Sequence, residues 1–163
     1  MSSFDPNKTY FPSGDTIRPF AHAFVEAMLA QADLEREFYM LQAAISGEPE
    51  FGKSNRWAAE DRPKKLAKLI RDRHGSIPEA DAIRKILKDA IPAYKARNLL
   101  AHGHWWRFDP ATSTIEARAW HGEADPRNFS AAEIWSLRDQ FKEFLAELHK
   151  LRLEIELRNG RVE

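Results

Sequence analysis

A short polar segment stands out in the middle of this chain. Arg97, Asn98 and His102 place a permanent cation, an amide and a titratable imidazole within six residues, directly before Gly103. Histidine exchanges protons near neutral pH, and the planar guanidinium of arginine presents a fork of donors to a phosphate group. These residues are therefore the first candidates for acid–base and phosphate chemistry.

Helical spacing decides which of these side chains can meet. Asn98 and His102 are four residues apart and share one face of a helix, whereas Arg97 and His102 are about 140° apart around the axis. Long side chains, the helix end or a second copy of the helix across a two-fold axis could close that gap. An alternative is purely structural: Arg97 pairs with a carboxylate, Asn98 bonds to backbone, and His102 caps the helix end.

The apolar pattern predicts the elements that carry this segment. Helices are expected over residues 16–46 with Asp15 or Thr16 as N-cap, over residues 57–74, and from Pro78 toward Gly103 with a bend or restart at Pro92. A short hairpin is expected over residues 105–120, and a last helix from the capping box of Ser130 to about residue 159. We predict an all-α fold, an antiparallel four-helix bundle with a small β-hairpin between the third and fourth helices. We expect residues 1–163 to form one domain, of which residues 1–15 are an irregular N-terminal segment.

The motif and the helical layout together resemble the HEPN superfamily. Its signature is an arginine, usually followed by a polar residue, with a histidine a few positions later, and Arg97, Asn98 and His102 match it. The resemblance covers the helical layout of nearly the whole chain, although the inserted hairpin is not part of the shared minimum.

The resemblance implies a metal-independent endoribonuclease that works without a cofactor as a homodimer, with two motifs forming one cleft. Attack by the 2′-hydroxyl would leave 2′,3′-cyclic phosphate ends, with Arg97 offsetting phosphate charge and Asn98 orienting His102 or the phosphate. The helix C-terminus favours imidazolium, so the role of His102 stays open between acid, base and phosphate ligand. The expected setting is defence, a toxin system or RNA processing, with RNA and a cognate antitoxin or regulatory protein as partners. The alternative is a non-catalytic dimerising module that binds RNA or protein.

Basic and aromatic residues near the motif are candidates for substrate contacts. Between Gly52 and Arg107 the chain has 14 Lys and Arg against 6 Asp and Glu, although its total net charge is zero. This asymmetry indicates either a cationic face that tracks RNA or helices whose opposite charges complement each other. Trp105, Trp106, Phe108 and Trp120 could stack bases or pack the hairpin. The candidate substrate-binding residues are Tyr94, Lys95, His104, Trp105, Lys68 and Arg71.

Composition excludes several other classes of site. With no cysteine, the chain can form no disulfide, thiolate zinc site or cysteine nucleophile. His102, His104 and His121 allow a metal hypothesis, but no carboxylate has convincing spacing and we predict no metal site. The sequence shows no signal peptide and no apolar run of the roughly 18 residues that a membrane span needs. We therefore expect a cytoplasmic protein without membrane contacts.

Overall fold

Four helices and a three-stranded antiparallel sheet make up the described part of the chain. The structure is a computed structural model, and it describes residues 13–47, 62–72, 77–119 and 125–160. Trp57, His74, Trp120 and His121 lie outside these residues. The elements are α1 (Gly14–Ser46), α2 (Arg62–Asp72), α3 (Ala80–His102), β1 (His104–Asp109), β2 (Thr114–Arg118), β3 (Arg127–Ser130) and α4 (Ala131–Arg158).

Local capping sets the ends of the two longest helices. The capping box of α4 is confirmed, since the Ser130 hydroxyl accepts from the Glu133 backbone N–H while the Glu133 carboxylate accepts from that of Ser130. The N-cap of α1 is Ser13, whose hydroxyl accepts from the Thr16 N–H at 3.3 Å, so the predicted cap was wrong. At the far end of α1, Gly47 takes the left-handed conformation that glycine favours, with φ of 76°.

The predicted restart of α3 at Pro92 does not occur. The helix continues through Pro92 from Ala80 to His102. Pro92 lies on the exposed side of the helix, where water can satisfy the Lys88 carbonyl that a proline cannot bond. The segment that ends in His102 is therefore part of one continuous helix.

The helices α1 and α4 run parallel along each other. The ring of His22, near the start of α1, meets Trp135, near the start of α4, with centroids 5.2 Å apart. At the other ends, the Asn159 side chain donates to the Ala44 carbonyl at 3.4 Å. Because the two starts meet and the two ends meet, both helices point in the same direction.

Helix α3 runs antiparallel to both of them. Near its middle, Tyr94 packs between Phe38 of α1 and Phe141 of α4, with ring centroids 6.2 and 5.5 Å away. At its start, Glu79 pairs with Arg158, the last residue of α4. The end of α3 and the starts of α1 and α4 therefore lie at the same end of the molecule.

This arrangement shows that the predicted antiparallel four-helix bundle was wrong. With 11 residues, α2 spans about 16 Å, whereas the 33 residues of α1 span about 50 Å. The short α2 does not return the chain along α1, so α3 runs opposite to α1 rather than parallel to it. The chain then enters α4 from the end at which α3 finished, which makes α4 parallel to α1.

A sheet, not a hairpin, connects α3 to α4. Strands β1 and β2 pair antiparallel near the predicted position, but β3 pairs with β2 and extends the sheet. Its inward residues Ile115, Ala117 and Phe129 are fully buried. Only one residue of β3 is buried, so the strand shows no alternating pattern that would predict it. The fold is therefore not all-α.

A buried ion-pair network joins the parallel helices. Arg152 of α4 donates from Nε to Glu37 of α1 at 2.5 Å and from Nη1 to both carboxylate oxygens of Glu156 at 2.7 Å. Its Nη2 lies 3.0 Å from Nδ1 of His149. The side chains of Glu37 and Arg152 are each only 5% exposed. Burial disfavours the charged guanidinium, but the hydrogen bonds to Glu37 and Glu156 outweigh it and raise the pKa of Arg152.

None of the described helices is both long enough and apolar enough to cross a lipid bilayer.

Candidate functional site

Arg97 leaves α3 on the side that faces α1. Its Nε lies 3.0 Å from Sδ of Met28 on α1, and its Nη1 donates to Oδ1 of the adjacent Asn98 at 2.8 Å. The side chain is half-buried, and it forms no ion pair with a carboxylate of the described residues. Among the described residues, its hydrogen-bond partners are therefore a thioether and a neutral amide.

The charge of Arg97 is only partly compensated. Burial lowers the pKa of its guanidinium from the ordinary value, while the nearby Glu35 and Tyr94 act in the opposite direction. Arginine keeps its charge at neutral pH even after such a shift. A half-buried cation with neutral hydrogen-bond partners can bind an anionic oxygen, because its remaining N–H groups do not donate to a carboxylate.

His102 lies on a different side of α3. It is the last residue of the helix and is exposed, whereas Arg97 points toward α1. The separation follows from the helical period, which puts the two residues about 140° apart. Asn98 contacts Arg97, so its amide orients the arginine directly. The fold of the chain thus joins Arg97 and Asn98 but leaves His102 apart.

Gly103 holds the sheet close to the end of α3. Its φ of −86° is open to any residue, so its role is not conformational. A Cβ at this position would overlap the carbonyl oxygen of Leu99 and lie 2.7 Å from that of Arg118 on β2. Both atoms belong to backbone and have little freedom to move. Glycine is required after His102 because two backbones meet there.

Replacing Gly103 by alanine is expected to destabilise the protein by about 1–3 kcal/mol, because the end of α3 and the end of β2 must move apart. Urea unfolding measures the loss. Gly14→Ala is the matched control, since nothing lies within 4 Å of a Cβ there. Equal stability of the two variants would contradict the close approach at Gly103.

Two of the predicted substrate contacts pack with the core, Tyr94 inside it and Trp105 partly buried against it. Tyr94 is 1% exposed and packs in the aromatic cluster with Phe38 and Phe141. The indole N–H of Trp105 donates to the Leu100 carbonyl at 2.8 Å, and its ring meets Phe24 of α1 edge-on. These contacts attach β1 to α3 and α1. Tyr94 and Trp105 thus have structural contacts, and a contact of either residue with substrate stays a prediction.

The other predicted contacts lie at or near the surface. His104 is half-buried on β1 and pairs in register with Arg118 of β2. Lys95 is exposed on α3, and Lys68 and Arg71 are exposed on α2. His104 therefore lies next to the end of α3, whereas Lys95, Lys68 and Arg71 lie farther back, on the exposed sides of α3 and α2.

Sequence reasoning missed the contribution of α1 to the site. Met28 and Glu35 lie seven residues apart on the same side of α1 and face Arg97. Val25 and Leu29, beside Met28, are 53% and 58% exposed although they are apolar. These two apolar residues on the exposed side of α1 were the signal in the sequence for a second apolar surface.

Within the described ranges, no group of three His, Asp or Glu side chains is placed to hold a metal ion.

No protein-family model, curated protein or solved structure matches this chain.

Proposed function

We propose that this protein is a metal-independent endoribonuclease whose site is completed in a homodimer. The observation that carries the proposal is the environment of Arg97, a half-buried cation that bonds to Met28 and Asn98 and to no carboxylate of the described residues. An arginine held in this way is suited to bind the phosphate of a polyanion. The match of Arg97, Asn98 and His102 to the HEPN signature supports the same function.

The reaction requires two proton transfers at one phosphate. The 2′-hydroxyl oxygen attacks phosphorus and gives its proton to a base, while the bond to the 5′-oxygen breaks and that oxygen takes a proton from an acid. Products are a 2′,3′-cyclic phosphate and a 5′-hydroxyl. Arg97 offsets the charge of the pentacoordinate phosphate, and an exposed imidazole such as His102 is able to carry either proton.

A second copy is needed because one chain keeps Arg97 and His102 on different sides of α3. An apolar strip of α1, made of Val25, Leu29 and Ala32, is exposed beside Met28, the residue that contacts Arg97. Two such strips facing each other across a two-fold axis would bury apolar surface and bring two Arg97 residues to one interface. His102 of each protomer would then reach the phosphate from the rim of that interface.

The direct test is incubation of the protein with single-stranded RNA and tRNA in EDTA. We expect cleavage that leaves cyclic-phosphate ends, because neither Arg97 nor His102 needs a metal. Products with 5′-phosphate ends, or cleavage that EDTA abolishes, would reject the proposed chemistry.

Disrupting the apolar strip is expected to abolish dimer formation and cleavage together. Leu29→Asp places a charge in the centre of the strip, whereas the control Leu157→Asp changes an equally exposed leucine of α4. Sedimentation velocity and the cleavage assay measure the two effects. A monomeric Leu29→Asp variant that cleaves at the wild-type rate would refute the composite site.

A non-catalytic binding module is the second candidate. The separation of Arg97 from His102 favours it, because each residue alone can bind phosphate without transferring a proton. A folded dimer that binds RNA but leaves it intact across the whole RNA panel would establish this alternative.

A further inference from the structure

A line of cationic positions follows the exposed side of α3. Lys88, Lys95 and His102 are spaced seven residues apart, so two helical turns bring each nearly above the one before. All three are exposed, and the line extends about 21 Å along the helix at 1.5 Å per residue. It ends at His102, the residue proposed to transfer protons.

No acidic residue of α3 neutralises the charges of this line. Asp89 is the one acidic residue between Lys88 and His102. Its carboxylate accepts from Nζ of Lys85 at 2.9 Å, which raises the pKa of Lys85 and engages Asp89 away from the line. Lys88 and Lys95 are therefore available to an external anion.

A second cationic line lies on α2, which packs against α3. Lys64, Lys68 and Arg71 are exposed at a spacing of four and three residues, which places them on one face of the helix. The opposite face carries Leu66 and Ile70, which are buried in the core. The cations of α2 thus point directly away from the core, as do those of α3.

The composition of this surface favours a polyanion in water over a lipid membrane. A membrane-binding surface combines cations with exposed apolar side chains that enter the interface. The exposed large apolar residues of the described chain are Val25, Leu29, Leu153 and Leu157, which belong to α1 and α4. Among the described residues, α2 and α3 expose no large apolar side chain that could enter a lipid interface.

We propose that the backbone of single-stranded RNA follows the line from Lys88 through Lys95 to His102, with the cations of α2 extending the contact. The proposal rests on the proposed function for the identity of the ligand, but it assigns a route that one protomer provides by itself. Successive phosphates then lead the chain toward the helix end at which cleavage is proposed. Recognition along the line is independent of sequence, since lysines contact phosphate rather than base edges.

Binding of a fluorescent 2′-O-methyl RNA, which lacks the attacking hydroxyl, tests this route by anisotropy at several salt concentrations. Lys88→Glu/Lys95→Glu is expected to weaken binding at least about tenfold and to lower the salt dependence by about 0.7 per lost contact. The control Lys142→Glu/Lys150→Glu makes the same change in charge on α4, where both lysines are exposed. It should bind like the wild type, and circular dichroism confirms that both variants fold.

The outcomes separate this inference from the catalytic proposal. Loss of binding in the α3 variant alone supports the route, even if the wild type does not cleave unmodified RNA. Equal weakening in both variants, unchanged binding in the α3 variant, or no binding by the wild type overturns it. Binding of wild type but not the α3 variant to anionic vesicles, with RNA binding unaffected, would assign the surface to membranes and overturn it as well.

Discussion

Replacing Arg97 by alanine is expected to lower the rate of RNA cleavage about 10²- to 10³-fold, the usual effect of removing a group that stabilises a developing oxyanion. The guanidinium is held in place by Met28 and Asn98, so its loss removes both the charge and the orientation of the donors. His102→Ala is expected to cause a loss of about 10²- to 10⁴-fold, the range for a positioned proton donor or acceptor.

Conservative and distant substitutions make this prediction specific. Arg97→Lys keeps the charge but not the planar fork of donors, so it should restore only part of the rate. Arg127→Ala and His149→Ala are the matched controls, since both residues are exposed on other elements, β3 and α4. Single-turnover cleavage under EDTA measures all five variants, with thermal unfolding as the control for folding. Wild-type rates in both Arg97→Ala and His102→Ala would reject the catalytic assignment.

Removing Arg152 is expected to destabilise the protein by about 3–5 kcal/mol, because it leaves the buried carboxylate of Glu37 with only the 3.3 Å contact to Nδ1 of His149. Glu37 is 5% exposed, and it loses the short hydrogen bond from Nε when Arg152 becomes alanine. Such a loss is a large part of the roughly 5–15 kcal/mol that stabilises an ordinary domain. The network joins α1 to α4, so the effect should appear as global unfolding at lower urea concentration.

A double variant distinguishes the removal of the whole Glu37–Arg152 ion pair from the removal of Arg152 alone. Glu37→Leu/Arg152→Met removes both charges and should recover most of the stability that Arg152→Ala loses. Arg18→Ala is the surface control, because Arg18 pairs with Asp15 where both side chains are exposed, and its effect should be about 0–1 kcal/mol. An Arg152→Ala variant as stable as Arg18→Ala would show that water reaches Glu37.

Residues close in sequence were sufficient to predict several parts of the fold. Two predicted features depend on local hydrogen bonds and on residue spacing: the capping box of Ser130 and Glu133, and the change from helix to strand at Gly103. Both are present in the structure. The angular separation of Arg97 and His102 follows from the helical period alone. Whether these residues catalyse RNA cleavage remains a prediction that the experiments above address.

The tertiary structure decided what the amphipathic pattern left open. Periodicity shows which side of a helix is buried but not which helix covers it, so the parallel pairing of α1 with α4 could not be predicted from the pattern of either one. For the same reason, the packing of Tyr94 and Trp105 could not be predicted. Both have polar groups typical of a binding site but fill spaces between elements that are distant in sequence. Strand β3 is decided by its pairing with β2, since its own four residues carry only one buried side chain. The environment of Arg97 depends likewise on Met28, which only folding brings beside it.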